Sequence, residues 1–399
     1  MWIGRDLSNA LLGAATQRPA LLLSGARQTG KSSLLRRAFP EAAYVSFDRP
    51  AVSEEADSNP TRFLEQFKDQ VILDEIQNAP TLFRELKARI DARREHKGKW
   101  LLTGSQHFPL MKGVSESLAG RIRVFDLDTL SIDEVLKAKL GVSDYLWKGG
   151  YPELWSQPGL VAGEFFDDYV TTYLERDLRT LLDVGSLRTF DRFLRLCTLR
   201  CANLLNYSDL ARDTGISPVT AKSWVQTLEV SGIVSLLEPF FSNQSKRLVK
   251  TPKLYFRDVG LLAFFLGVSS EASWRRSSLQ GLLWENLVFG ELLRGLKAKG
   301  KQRFLFFWRD KDSHEVDFLI EKEGAIVAVE AKAAERPALS EVHFRQLEKC
   351  FPRKRIIKCI ACTHAGPRPS TVADDVWLWN PLHHGFSAFW KAVYEGEDG

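Results

Sequence analysis

Along the first hundred residues, short apolar runs alternate with stretches whose apolar positions recur every three or four residues. Ala20–Ser24, Ala43–Phe47, Gln70–Leu73 and Lys99–Thr103 read as strands. Each is followed by a polar or glycine-containing turn and then a helical pattern, the signature of a parallel sheet flanked by helices. From about residue 151 to 268 the texture becomes mostly helical. The last block opens with a helix around Ser278–Lys297. It continues with strand-like segments at Arg303–Trp308, Glu315–Ile320, Ala325–Ala331 and Arg355–Cys362. Gly149-Gly-Tyr-Pro152 and the stretch from Gly267 to Ser278 mark seams. The pattern predicts an α/β chain of three domains: 1–150 with a parallel sheet, 151–268 helical, and 269–399 a second α/β domain.

Composition narrows the class. The chain has 399 residues, 44% hydrophobic and 26% charged, which excludes a disordered or fibrous protein. Its apolar runs fall far short of the ~20 residues that cross a bilayer, and Met1 to Asp6 leads into no apolar leader segment. A cytoplasmic protein without membrane contact is the expectation. The five cysteines, Cys197, Cys201, Cys350, Cys359 and Cys362, are too few and too unevenly placed for a disulfide framework. Cys359-Ile-Ala-Cys362 has no second pair to complete a zinc site and reads as thiols packed in a strand.

Net charge is +5, and between Gly185 and Tyr255 ten Lys or Arg oppose five Asp or Glu. A basic middle segment suits nucleic acid. A solvated face with surplus lysine fits the count equally well.

The strongest chemical signal is Gly25-Ala-Arg-Gln-Thr-Gly30-Lys31-Ser32, which satisfies G-x-x-x-x-G-K-[ST] between a strand and a helix. The glycines let the backbone N–H groups turn inward around phosphate oxygens, and the helix N-terminus adds its positive dipole end. Gly25, Ala26, Gln28, Thr29, Gly30, Lys31, Ser32 and Ser33 are the expected ATP contacts. Lys31 reaches the phosphates, and Ser32 is a Mg²⁺ ligand. Gln70-Val-Ile-Leu-Asp74-Glu75 then places two acids at the end of an apolar strand. Asp74 would join the Mg²⁺ shell and Glu75 would act as general base on water. Ser105, after Trp100-Leu-Leu-Thr-Gly, is a candidate γ-phosphate sensor; capping the next helix is the other reading. Arg121 is a candidate for stabilising transition-state charge, in cis or from a neighbouring subunit, against an ordinary salt bridge.

In the middle block, Tyr207 to Leu228 reads as helix-turn-helix. Ser208 and Ser217 are the expected caps, Gly215 the turn and Pro218 the first helical position. Ile233–Pro239 and Lys253–Phe256 would be the strands of a wing. In a DNA-reading version, Ser217, Thr220, Lys222 and Ser223 face the groove, while Lys246, Arg247 and Lys250 approach phosphates. A packing or protein-binding role stays open.

The last block holds a second constellation. Asp317 lies in Glu315-Val-Asp-Phe-Leu-Ile, and Glu330-Ala-Lys332 ends Ala325-Ile-Val-Ala-Val-Glu-Ala-Lys. Residues i and i+2 of a strand share a face, so Glu330 and Lys332 point the same way. Glu285 is an acid on the preceding, largely apolar helix. Asp317, Glu330 and Glu285 could hold Mg²⁺, with Lys332 stabilising hydroxide and the developing phosphorane charge. An inactive site that only holds DNA or a protein is the alternative.

With these residues in view, the chain resembles the prokaryotic AAA+-type P-loop ATPases that carry a winged helix and a C-terminal PD-(D/E)xK, restriction-endonuclease-like domain of unknown function. The matching pieces include Ser24-Gly-Ala-Arg-Gln-Thr-Gly-Lys-Ser, Leu73-Asp-Glu-Ile-Gln, Leu102-Thr-Gly-Ser and Ser117-Leu-Ala-Gly-Arg. Others are Gly149-Gly-Tyr-Pro, Tyr173-Leu-Glu-Arg-Asp, Lys253-Leu-Tyr-Phe-Arg-Asp-Val-Gly, Trp284-Glu-Asn and Glu315-Val-Asp with Val-Glu-Ala-Lys. The resemblance implies ATP binding with Mg²⁺, hydrolysis through Asp74 and Glu75, and a nuclease-like core at Glu285, Asp317, Glu330 and Lys332. The expected function is an ATPase acting on DNA, with an ATP-gated, metal-dependent nuclease as its fuller form. A regulatory nucleotide switch that binds a protein or DNA partner, as a homo-oligomer or alone, is the alternative.

Overall fold

Ala20-Leu-Leu-Leu-Ser24 is wholly buried, as a strand covered on both faces by helices must be. It forms β1 (Ala20–Ser24) of a computed structural model that describes residues 1–105, 110, 113–174, 187–240, 251–372 and 375–396. Its neighbours are β2 (Ala43–Ser46), β3 (Val71–Asp74), β4 (Trp100–Gly104) and β5 (Ile122–Asp126). The order is β2-β3-β4-β1-β5, and every pairing is parallel. Four of these strands follow the apolar runs of the sequence. The fifth does not: Ile122-Arg-Val-Phe-Asp carries two charged side chains, and β5 is an edge strand, with Val124 38% exposed. Leu22, Leu73 and Leu102 pack with Phe63, Phe83 and Leu86 into the core of this α/β unit.

The chain divides into two compact units: residues 4–128 with 230–232, and residues 1–3, 129–229 and 233–399. The main division thus falls at residues 128–129, and the Gly267–Ser278 stretch lies within the second unit. In the second unit the helical middle and the C-terminal sheet share one core, which includes Phe193, Trp224, Leu254, Trp284, Phe318 and Val329. The cause is the helix Gln280–Ala298. Leu283, Trp284, Leu287, Val288, Phe289 and Leu292 bury nearly its whole circumference, and a helix apolar all round must be enclosed on several sides.

That unit's large sheet runs β12-β13-β11-β10-β9-β8. Here β8 is Leu305–Arg309, β9 Glu315–Lys322, β10 Ala325–Lys332, β11 Arg355–Cys362, β12 Ser370–Val372 and β13 Val376–Trp379. The pairs β8/β9 and β9/β10 are antiparallel, whereas β10/β11 and β11/β13 are parallel. Cys359 and Cys362 are buried on β11, with no disulfide.

Helix Tyr207–Thr214, a left-handed Gly215 at φ 85° and helix Pro218–Val230 form the helix-turn-helix. Asn206, not Ser208, caps the first helix, accepting from Ser208 N and Asp209 N; Ser208 already lies inside the first turn. Ser217 caps the second through Thr220 N. β6 (Val234–Leu237) then pairs antiparallel with β7 (Lys253–Phe256). Lys246, Arg247 and Lys250 lie outside the described residues, as do Glu175, Arg176 and Asp177. Among the described residues, no helix is long and apolar enough to cross a membrane.

Candidate active sites

The phosphate loop joins β1 to the helix Lys31–Ala38, whose N-cap is Gly30 at φ 89°. Gly25 has φ 145°, and a Cβ there would fall 2.3 Å from the Leu127 carbonyl oxygen, so only glycine fits. Thr29 Oγ1 closes the loop on the Ala26 carbonyl at 2.9 Å. Arg5, which the sequence reading missed, clamps it from outside. Its guanidinium donates to the carbonyls of Thr29 at 2.8 Å and Asp128 at 2.6 Å. Lys31 is 5% exposed and donates to the Gly25 and Ala26 carbonyls at 3.1 and 2.8 Å. Burial lowers its pKa, with Glu75 and Asp74 opposing that shift. Gln28 and Ser33 are exposed, and Ala26 is buried.

Because β4 lies between β1 and β3, its end reaches both acids. Asp74 is 4% exposed; Ser32 Oγ donates to its Oδ1 at 2.6 Å and Tyr44 to its Oδ2 at 2.6 Å, with Thr103 Oγ1 as a third donor. Burial, then the bond to Asp74, pushes Tyr44 up to about 12. The donor set of a serine hydroxyl and a carboxylate suits a hard divalent cation such as Mg²⁺.

Glu75 sits in the left-handed region at φ 55°, which a non-glycine residue adopts at some cost. Its N–H donates to Thr103 Oγ1 at 3.1 Å. Its Oε2 accepts from Ser105 N at 3.1 Å, Ser105 Oγ at 2.9 Å and Gln77 Nε2 at 2.5 Å. Ser105 thus bonds to the general-base candidate itself. Gln77, the last residue of the Leu73-Asp-Glu-Ile-Gln stretch and given no role from the sequence, lies two residues beyond Glu75. Asp48 also faces this pair: burial, then the charges of Glu75 and Asp74, raises its carboxyl.

Arg121 is elsewhere. It precedes β5, whose Ile122 pairs with Ala20 at the start of β1, whereas the loop leaves the far end of that strand. About five residues of strand at ~3.3 Å each separate the two edges. Arg121 instead pairs with Asp91 through two bonds of 2.8 and 2.7 Å. This is the salt bridge that the sequence offered as the other reading of Arg121.

The second constellation assembles in the other unit and is larger than the sequence suggested. Asp317 on β9 accepts the Ala331 N–H at 2.9 Å, which ties it to β10. Glu330 Oε1 pairs with Lys332 Nζ at 3.2 Å, while Glu330 Oε2 is buried with no hydrogen-bond partner. Glu285 enters from helix Gln280–Ala298. Three further residues complete the cluster. Lys253 on β7 places its Nζ 2.5 Å from Glu315 Oε1, 3.2 Å from Glu285 Oε1 and 3.8 Å from Asp317 Oδ1. Tyr255, two residues along the strand, donates to Glu285 Oε1 at 2.6 Å. Glu315 shares the face of Asp317, a period-two signal already present in the sequence. Lys253 had been counted toward a basic surface, yet it is 2% exposed.

Burial dominates the electrostatics, with the neighbouring charges second. Burial, then the charge of Asp317, raises Glu285 to about 7, against the pull of Lys253. Burial raises Asp317, and burial with the Asp317 charge holds Glu330 well above the ordinary carboxylate range. Burial pulls Lys253 down, but Glu285, Asp317 and Glu315 override it and hold the ammonium charged. The oxygen donors suit a divalent metal, and Glu330 Oε2 awaits a partner.

On the helix-turn-helix, Ser217, Lys222 and Ser223 are exposed and Thr220 is half-buried. Part of the charge surplus is spent within the segment. Arg195 pairs with Asp191, Arg200 with Asp213 and Arg212 with Asp209.

Three family models match the chain. An AAA domain covers residues 17–136, and two domains of unknown function, DUF8612 and DUF4143, cover 140–272 and 280–369. The uncharacterized proteins Mb2031c of Mycobacterium bovis and Rv2008c of Mycobacterium tuberculosis are each 31% identical over 339 residues, spanning 84% of this chain and 75% of their own. Among solved structures, the Walker-type ATPase paby2304 of Pyrococcus abyssi is 18% identical. It covers 66% of this chain and 95% of that one, at a TM-score of 0.46. AMPPCP-bound DnaA from Aquifex aeolicus is 17% identical, covering 57% and 89%, at a TM-score of 0.31. Likenesses this distant add nothing to the geometry. The AAA match encloses Gly25, Lys31, Ser32, Asp74, Glu75 and Ser105, the loop and acid pair of a P-loop ATPase. This chain carries a P-loop ATPase domain of the AAA type and belongs to one family with the mycobacterial proteins Mb2031c and Rv2008c.

Proposed function

We propose that this protein is a Mg²⁺-dependent ATP hydrolase acting on DNA, with a phosphodiester-cleaving centre in its C-terminal unit that works under nucleotide control. The observation that carries the first part is the convergence of Ser32 and Asp74 beside a Glu75 held by Ser105 and Gln77. Loop amides and the Lys31 ammonium bind the phosphates. Lys31 exchanges the Gly25 and Ala26 carbonyls for phosphate oxygens, a stronger charge-assisted contact. Ser32 and Asp74 hold Mg²⁺, which neutralises phosphate charge when bound. Glu75 accepts a proton from the attacking water, and its donors keep the carboxylate aimed. Lys31→Ala is expected to abolish ATP binding. Glu75→Gln is expected to keep binding and lose turnover by about 10²-fold or more, the usual worth of a general base. A wild-type preparation that turns over no ATP with Mg²⁺ sinks the proposal.

For the C-terminal unit, Asp317, Glu330 and Glu285 supply metal ligands, and Lys332 supplies the cation beside them. The exposed Ser217, Lys222 and Ser223 face is the proposed DNA contact. Plasmid and single-stranded DNA incubated with Mg²⁺ or Mn²⁺, with and without ATP, are expected to be cleaved by wild type and not by Asp317→Ala. A second reading is favoured by one observation, the Lys253 ammonium lodged among the carboxylates. In it the unit is a binding module that nucleotide switches, and no cleavage accompanies ATP turnover.

A further inference from the structure

Lys253 is the unusual member of the C-terminal centre. A lysine is almost never fully buried unless paired, and this one meets carboxylates from two separate elements. Glu285 comes from helix Gln280–Ala298, and Glu315 and Asp317 come from β9. The Phe307 ring of β8 lies 5.6 Å from the same Nζ. Tyr255 fastens Glu285 from the same strand, and Arg309 takes the other oxygen of Glu315 at 3.1 Å. Meanwhile Glu330 Oε2 is buried and unpartnered. The cluster therefore needs positive charge, and its own chain supplies it at Glu285 and Asp317, two of the three carboxylates proposed as ligands.

We propose that Lys253 is a built-in cation of this centre, and that a divalent metal enters only by displacing its ammonium from Glu285 and Asp317. This rests on the reading of those carboxylates as metal ligands. An ammonium 3.2 Å from Glu285 Oε1 and 3.8 Å from Asp317 Oδ1 repels a divalent ion and occupies a lone pair of Glu285. Burial deepens the exclusion, because low surrounding dielectric strengthens both the repulsion and the ion pairs. β7 thus acts as a plug in the metal site, and its position sets metal affinity.

The test uses full-length protein without nucleotide, titrated with Mn²⁺ and followed by loss of the free-ion EPR signal. Lys253→Met, which keeps the stem and removes the charge, is expected to bind Mn²⁺ at least tenfold more tightly than wild type. Adding Asp317→Asn to Lys253→Met is expected to remove that extra binding, which places it at this centre. Glu315→Gln gives an independent test that keeps the lysine. Loosening its tether should tighten Mn²⁺ binding, whereas a simple loss of nearby negative charge would weaken it. Tighter binding in Glu315→Gln supports the plug; weaker or unchanged binding overturns it. Wild type binding as tightly as Lys253→Met overturns the plug and leaves the metal centre standing. No Mn²⁺ binding at this centre in any variant overturns both.

Discussion

Ser32 Oγ lies 2.6 Å from Asp74 Oδ1, a bond that closes 42 residues of chain. Asp74 ends β3, and Ser32 lies in the first turn of the helix that follows β1 and its loop; β4 lies between the two strands. The two residues meet because parallel strands deliver their C-terminal ends to one edge of the sheet, where open α/β sheets place their ligands. The intervening strand then contributes Thr103 and Ser105 to the same edge.

Ser105 bonds to Glu75 through both its N–H and its hydroxyl. Ser105→Ala removes the hydroxyl alone. At about 1.5 kcal/mol for a hydrogen bond to a charged group, kcat should fall roughly tenfold with KM for ATP unchanged. Steady-state ATPase kinetics check this. A rise in KM with kcat intact would instead make Ser105 a phosphate contact.

Arg5 spans the carbonyls of Thr29 and Asp128 and is 7% exposed. Arg5→Met leaves two carbonyls without their charged donor. The N-terminal unit should lose about 2–3 kcal/mol of stability, and ATP affinity should fall several-fold as the loop loosens. Urea unfolding and nucleotide titration measure the two effects, and ADP should restore part of the stability by mass action.

Glu285 is raised from 4.5 to about 7 by burial and the charge of Asp317. Between those values the folded chain holds a proton that the unfolded chain has released. Stability from this group is therefore present below pH 4.5, falls as pH rises toward 7, and then levels off. Melting curves from pH 5 to 8 should show the decline, and in Glu285→Gln it should be shallower by roughly 2–4 °C. An identical slope in both proteins would remove Glu285 as its source.

Lys222 is exposed on the second helix of the helix-turn-helix. If this face meets phosphates, Lys222→Ala should weaken duplex binding about equally for all sequences. It should also lower the slope of log K against log salt by about one. Unchanged binding would move the DNA contact off this helix.

The phosphate loop and the Asp74–Glu75 pair were legible because each is contiguous and its backbone requirements are written as glycines and an apolar strand. Asp317, Glu330 and Lys332 were legible as spacing on strands, and Glu315 was there to be read by the same period of two. The cap at Asn206 was missed by two residues because serine and asparagine are both good caps. For Arg121 the sequence left a catalytic role and a salt bridge open, because its partner Asp91 lies 30 residues away and only the fold brings the two together.

The sequence by itself determined the P-loop chemistry, the alternation of strands and helices, and the residue types of both centres, since these depend on local spacing and periodicity. Only the tertiary structure decided which distant groups join them. Arg5 on the loop, Gln77 and Ser105 on Glu75, and Lys253 and Tyr255 among the C-terminal carboxylates come together through sheet order and the burial of one apolar helix. A lysine in a basic segment reads as surface charge until packing removes its water, and at Lys253 it is the surrounding carboxylates that hold it there.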